Sequence, residues 1–311
     1  MMMKKLLLSV AITALSAGVA QAKNIGLAMS LFDDNFLTVL RHNIQDHAKT
    51  LDGVNVQAED AQSDISRQQS QVENFIASGV DGIIIMLVDA DSGPAISATA
   101  ARAGVPLVFV NMAPTGIDKL PPNQAWIGSD EIQAGTLQAQ EVCRRLGGKG
   151  DAVILMGQLG TTGQRGRTKA VHDVLATDEC KGIKILDEQS GNWMRTPGID
   201  ITTNWITSGL KPAAVIANND EMALGAIQAL KGARVPLESV VIAGVDATRD
   251  GLLAVQNGEL DLTVFQNARQ QGISALDAVL KLANGESVER ENFIPFELVT
   301  SDNLQDYLKR N

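Results

Sequence analysis

The sequence predicts an α/β protein built as two Rossmann-like lobes with parallel sheets. Three observations lead there. Short apolar runs alternate with amphipathic segments from Ile25 onward, the pattern of repeated βαβ units. Glycine is plentiful at 28 residues while Phe, Trp and Tyr make up only 4%, a mix that suits many tight strand–helix turns. Finally, about 290 residues after an N-terminal leader are more than one hydrophobic core usually organises.

Ile25–Met29 reads as a buried strand. The next segment carries Phe36, Leu37, Leu40, Ile44, Ala48 and Leu51 at helical spacing, with Asp33 and Asp34 before it as capping candidates. Val54–Ala58 is a strand and Ser66–Ser78 a helix with Val72, Phe75 and Ile76 on one face. Gly82–Val88 is a continuous apolar run, expected as a strand buried on both faces. A further helix and strand end at Val110. Pro121 and Pro122 then break the rhythm. A second series follows, with strands near Ala152–Met156, Ile183–Leu186, Ala213–Ala217, Val240–Val245 and Leu262–Phe265. Thr196 before Pro197 predicts a helix start with a capping hydroxyl and proline at the first helical position.

Residues 1–22 have the form of a secretory signal peptide: Lys4 and Lys5, an apolar run from Leu6 to Val19, then Ala20-Gln21-Ala22. The run is short for a membrane span, and no stop-transfer charges follow it. Cleavage after Ala22 is expected, releasing the mature chain into the periplasm. It removes two lysines and no acid, so the formal net charge goes from −10 to −12, which disfavours a nucleic-acid partner. Cys143 and Cys180 would meet an oxidising compartment, where a disulfide can form. The alternative is two buried thiols. No metal site is expected: the cysteines lack flanking histidines, and His42, His47 and His172 form no ligand constellation. No cofactor motif stands out either. Arg165 and Arg167 lie among Gly160, Gly163 and Gly166, but the lysine and hydroxyl ending of a phosphate loop is missing.

Facing α/β lobes put their strand ends at a shared cleft. Polar or aromatic residues just after strands are therefore the candidates, in order Ser30, Asp34, Asp89, Asn111, Arg165, Trp193, Asn219, Asp246 and Gln266. Carboxylates, amides and a guanidinium suit the hydroxyls of a neutral polyol, which both donate and accept, and an aromatic face suits its C–H patches. Each has a plainer alternative. Polar residues after strands are ordinary turn formers, and Trp193 and Phe36 could be packing residues.

The stretch Asn219-Asp220-Glu221-Met222-Ala223-Leu224-Gly225-Ala226, with Ala243-Gly244-Val245-Asp246-Ala247-Thr248 and Thr263-Val264-Phe265-Gln266, resembles the ribose-binding and inositol-binding proteins of the periplasmic sugar-binding family. The likeness extends over essentially the whole mature chain, including Ser30-Leu31-Phe32-Asp33-Asp34-Asn35-Phe36. It implies a type I periplasmic binding protein fold with its ligand cleft at a multi-strand hinge. By analogy, 24–128 plus 267–294 would form the first lobe and 129–266 plus 295–311 the second. The resemblance also implies ligand contacts from Ser30, Asp34, Phe36, Asp89, Asn111, Arg165, Trp193, Asn219, Asp246 and Gln266. Phe36 and Trp193 would sandwich a sugar or cyclitol ring. The implied partner is an ABC permease, with a chemoreceptor as a compatible second one, and the expected state is a monomer without catalysis.

Two positions depart from the family pattern. Met86-Leu87 stands where relatives place asparagine and proline, and Met112 where they place an arginine after the asparagine. If Met86 and Met112 face the pocket, a hydroxyl there goes unpaired at a cost of about 1–3 kcal/mol. The expected ligand is then a deoxy, methylated or branched relative of the simple polyols. Two other classes share the fold. A sugar-responsive repressor would need a basic DNA-binding front where this chain has a leader, and an enzyme would need a catalytic constellation that the sequence does not present.

Overall fold

The computed structural model describes residues 22–310. The expected signal peptide therefore lies outside the described residues, apart from Ala22. Among the described residues no helix is long and apolar enough to cross a membrane.

In chain order the first elements are β1 (Lys23–Met29), α1 (Asn35–Lys49), β2 (Val54–Asp60), α2 (Ile65–Ala77), β3 (Gly82–Ile85), α3 (Gly93–Ala103), β4 (Leu107–Val110) and β5 (Gln124–Gly128). There follow α4 (Glu131–Leu146), β6 (Lys149–Met156), α5 (Thr162–Leu175), β7 (Gly182–Ser190), α6 (Arg195–Thr207), β8 (Ala214–Ala217) and α7 (Asp220–Gly232). The last are β9 (Val241–Ala243), α8 (Arg249–Gln256), β10 (Leu262–Phe265), α9 (Ala268–Ala283), β11 (Glu291–Phe293) and β12 (Glu297–Thr300).

The strands make two six-stranded sheets, ordered β11-β5-β4-β3-β1-β2 and β12-β10-β9-β8-β6-β7. Every pairing is parallel except that of β12 with β10. The strand order reverses between β1 and β3 in one sheet and between β6 and β8 in the other. Loops leaving those strand ends in opposite directions open a crevice, the usual ligand position of such sheets. The chain passes between the sheets three times, from β5 to α4, from β10 to α9, and from β11 to β12.

Burial explains why β3 and β4 read as unbroken apolar runs. Ile83, Ile84, Ile85, Leu107, Val108, Phe109 and Val110 are all inaccessible to solvent, sandwiched by helices on both faces. The run beyond β3 corrects the sequence reading. Met86-Leu87-Val88 stays buried but leaves the ladder after a last bond from Met86 N to Ala28 O (2.9 Å), and the Gln68 amide takes over: Gln68 Nε2 donates to Met86 O (2.8 Å) and Val88 N donates to Gln68 Oε1 (2.9 Å). A side chain on α2 thus satisfies polar groups that hydrophobicity alone assigned to a strand.

The helix after β7 starts two residues earlier than expected. Its N-cap is Met194, without a side-chain cap bond, and Thr196 and Pro197 fall inside the first turn, where a missing N–H costs nothing. Cys143 of α4 and Cys180, just before β7, are joined in a disulfide.

Candidate functional site

Two cavities meet between the sheets. The inner one, of about 80 Å³, is lined from the first sheet's loops by Asp34, Phe36, Leu37, Met86, Asn111 and Met112. The second side supplies Glu131, Thr161, Thr162, Gly163, Arg167, Trp193, Asn219, Asp246 and Gln266.

Local structure explains how several of these are presented. Asp34 is the N-cap of α1, where one carboxylate oxygen accepts Leu37 N (2.8 Å) while the residue lines the cavity. Asn219 caps α7 in the same way, accepting Met222 N (3.0 Å), and its Nδ2 donates to the Trp193 carbonyl (3.0 Å). Asn111, Trp193 and Asp246 all have positive φ, at 65°, 69° and 114°. Non-glycine residues adopt that region at a cost of order 1–3 kcal/mol, and such positions concentrate at ligand clamps. The Trp193 ring also requires glycine beneath it, because a Cβ at Gly157 would overlap its six-membered ring.

The electrostatic centre is Arg167. Its Nε donates to Glu131 Oε2 (2.6 Å), Nη1 to Asn218 O (2.6 Å) and Nη2 to Gln266 Oε1 (3.2 Å), and Asp246 Oδ1 lies 3.6 Å from Nη1. Burial disfavours this cation, but Glu131 and Asp246 outweigh that effect and hold its pKa above the ordinary value. Asp246 is raised well above the carboxylate range, first by burial, then by Asp220, Asp34 and Glu131, against the pull of Arg167. Asp34 is raised too, chiefly by burial and in part by Glu221. Behind the cavity, Asp220 is pushed up to about 7 by burial although Thr263 Oγ1 (2.7 Å) and Thr248 N (2.8 Å) donate to it.

Two buried donors of this assembly have no hydrogen-bond partner among the described residues, Asn218 Nδ2 and Gln266 Nε2, and of the two residues only Gln266, 1% exposed, lines the inner cavity. The Gln266 oxygen is held by Arg167, so the amide orientation is fixed and the N–H₂ group is left over. Buried donors of this kind usually have a partner, and a cavity wall is where a ligand supplies one.

The structure thus brings together Asp34, Phe36, Met86, Asn111, Met112, Trp193, Asn219, Asp246 and Gln266 from the sequence reading. Ser30 lies one step outward, lining the adjoining cavity and donating its hydroxyl to Met86 Sδ (2.9 Å). Two expected residues line neither cavity. Arg165 points to solvent, its side chain 54% exposed, and faces Asp91 at 3.7 Å. On α5 the inward face runs through Gly163 and Arg167, four residues apart, so a residue two positions on is turned away. Arg167, and not Arg165, is therefore the arginine of α5 that lines the inner cavity. Asp89 is the N-cap of a single 3₁₀ turn and accepts Asp91 N (2.8 Å), its carboxylate standing across from Gly160 at the cleft edge. Arg167 and Glu131 were missed. The signal for the arginine was its four-residue spacing from Gly163 on a helix capped by Thr161; nothing local marked Glu131.

Residues 25–287 match the periplasmic binding protein domain. A Rhizobium meliloti protein named for rhizopine binding is 54% identical over 309 residues, spanning 99% of this chain and all of that one. A xylitol-binding protein of Mycolicibacterium smegmatis is 36% identical, covering 94% of this chain and 82% of its own. An ABC transporter solute-binding protein from Bacillus halodurans, solved with bound myo-inositol, superimposes with a TM-score of 0.89 at 37% identity, over 94% of this chain and all of that one.

Proposed function

This chain belongs to the periplasmic binding protein family, and from that premise we propose that it captures a small polyhydroxylated ring, a cyclitol or a monosaccharide, in the cleft between its sheets and delivers it to an ABC permease. The observation that carries the reading is the orphan Gln266 amide beside Asp246 and Arg167, a buried donor next to acceptors and a guanidinium that itself lies 5.5 Å from the centre of the Trp193 ring. That combination answers a hydroxyl-rich ring with C–H faces. The names of the relatives, which refer to rhizopine, xylitol and bound myo-inositol, support the same class.

In this reading Asp34, Asn111, Asn219, Asp246 and Gln266 hold hydroxyls, Arg167 donates, and Phe36 and Trp193 flank the ring. Met86, Met112 and Leu37 form an apolar wall with no partner for a hydroxyl, so the ligand edge facing them is deoxygenated, alkylated or branched. Ligand bridging the two sides favours closure about the three crossing segments. The chain acts as a monomer in the periplasm after cleavage at Ala22, performs no catalysis, and presents the closed form to the permease; a chemoreceptor is a second membrane partner of that form.

A thermal-shift screen of the mature, ligand-stripped protein against cyclitols, pentoses, hexoses, their deoxy and O-methyl forms and sugar alcohols tests this. A ligand at a hundred times its Kd adds about 2.7 kcal/mol, read as a rise of roughly 5–10 °C. No shift across the whole panel overturns the proposal.

A further inference from the structure

The inner cavity opens, through Asp34, Leu37, Met86, Met112, Thr161 and Trp193, into a second compartment of about 530 Å³. Those six residues line both. The larger space is more than a ring hydroxyl or a methyl group can fill, since a water molecule takes up about 30 Å³. Its own walls differ in character from the inner ones. Leu31, Leu87, Val88 and Met194 are apolar and Ser63 and Gln158 are uncharged, while Asp33, Arg195 and Glu221 bring charge to the lining.

The compartment is bounded rather than simply open. At its rim the two sides of the cleft touch, where Asn35 Nδ2 donates to Glu221 Oε1 (2.6 Å), and Arg195 holds the same carboxylate through Nε (2.8 Å) and Nη2 (2.9 Å). Arg195 and Glu221 are thereby paired with each other, and the remaining carboxylate of the compartment's own walls, Asp33, is exposed to solvent. Two loops that enclose it carry positive φ at non-glycine residues, Gln62 (52°) and Ser63 (59°) after β2, and Asn192 (52°) after β7. Such conformations persist where the surroundings fix them.

We propose that this compartment is a subsite for an uncharged, partly apolar substituent carried on the ring, so that the protein accepts O-alkyl or O-aryl ethers and glycosides of its polyol as well as the bare ring. The inference rests on the inner cavity being the ring site. The ring keeps its hydroxyls on Asp246, Asn219 and Gln266, and the O-linked group passes between Met86 and Trp193 to lie against Leu87, Val88 and Met194. No proton or bond changes hands.

The test is isothermal titration of the mature protein with the best ring ligand and with its O-methyl, O-butyl and O-phenyl derivatives, using wild type, Gln158→Trp and Met194→Trp. Both substitutions fill the compartment from partly exposed positions outside the inner cavity. The expected result is that wild type binds the O-butyl or O-phenyl derivative within about tenfold of the bare ring. The Trp variants keep the bare ring within about threefold and lose the bulky derivatives by more than about tenfold. Exclusion of every substituent larger than methyl by wild type, with the bare ring still bound, overturns the subsite alone. Equal binding of bulky derivatives by wild type and both Trp variants also overturns it. If no ring binds at all, the ring site falls first and the subsite with it.

Discussion

Replacing Arg167 by alanine removes the one guanidinium that ties Glu131, Asn218, Gln266 and Asp246 together. The residue is 4% exposed, so water does not take its place freely. Breaking a buried ion pair by deleting one partner costs about 3–5 kcal/mol, because the remaining carboxylate stays buried without its counter-charge. At about 2–4 °C per kcal/mol for a unit of this size, the melting temperature of the ligand-free protein should fall by roughly 6–20 °C. The double variant Glu131→Gln/Arg167→Met removes both charges and should recover much of that loss while still failing to bind ligand, which separates the electrostatic cost from the loss of a ligand contact. Differential scanning calorimetry on the ligand-free proteins measures both. A melting temperature for Arg167→Ala within about 2 °C of wild type would refute the reasoning, because a pair this buried could not then be contributing.

Three further outcomes are expected. Asp220 has a folded-state pKa of about 7, above its unfolded value of 3.8, so its contribution to stability is complete below the unfolded value and is lost as pH rises through 7. Asp220→Asn should accordingly flatten the fall in melting temperature between about pH 5 and about pH 7, and an unchanged slope would remove Asp220 from the account. Reducing the Cys143–Cys180 disulfide, or replacing both cysteines by serine, opens a loop spanning a separation of 37 residues and should cost about 4 kcal/mol by the chain-entropy model, read from denaturant unfolding. Gly135 of α4 packs against α5 so tightly that a Cβ would overlap the Arg167 carbonyl oxygen, which is backbone and cannot swing aside. Gly135→Ala should therefore destabilise by about 1–3 kcal/mol and weaken ligand binding together, since it displaces the turn that carries Arg167.

The layered fold was legible because parallel strands buried on both faces leave an unmistakable apolar signature, as in Ile83–Ile85 and Leu107–Val110. The same signal misled at Met86–Val88, where burial continues but the backbone bonds pass to Gln68, whose amide donates to a carbonyl 18 positions away. Site residues that follow strands directly, such as Asn111, Asn219, Asp246 and Gln266, could be listed from strand ends alone. Residues that reach the cleft from a helix could not. Choosing Arg167 over Arg165 needs the helical phase set by the Thr161 cap, and finding Glu131 needs the close approach of α4 to α5 that Gly135 and Gly166 permit. Asp89 illustrates the converse: a polar residue soon after a strand can be occupied in capping its own turn.

The central claim, that a polyol sits between Trp193 and Phe36 with its hydroxyls on Asp246 and Gln266, is tested most directly by isothermal titration of the ring ligand into wild type, Trp193→Ala and Asp246→Ala side by side. The account predicts one site per chain in wild type and, in each variant, a Kd weaker by at least about a hundredfold, equivalent to about 2.7 kcal/mol of lost hydrogen bonding or ring contact. Wild-type affinity retained in both variants would contradict it and place the ligand elsewhere on the molecule.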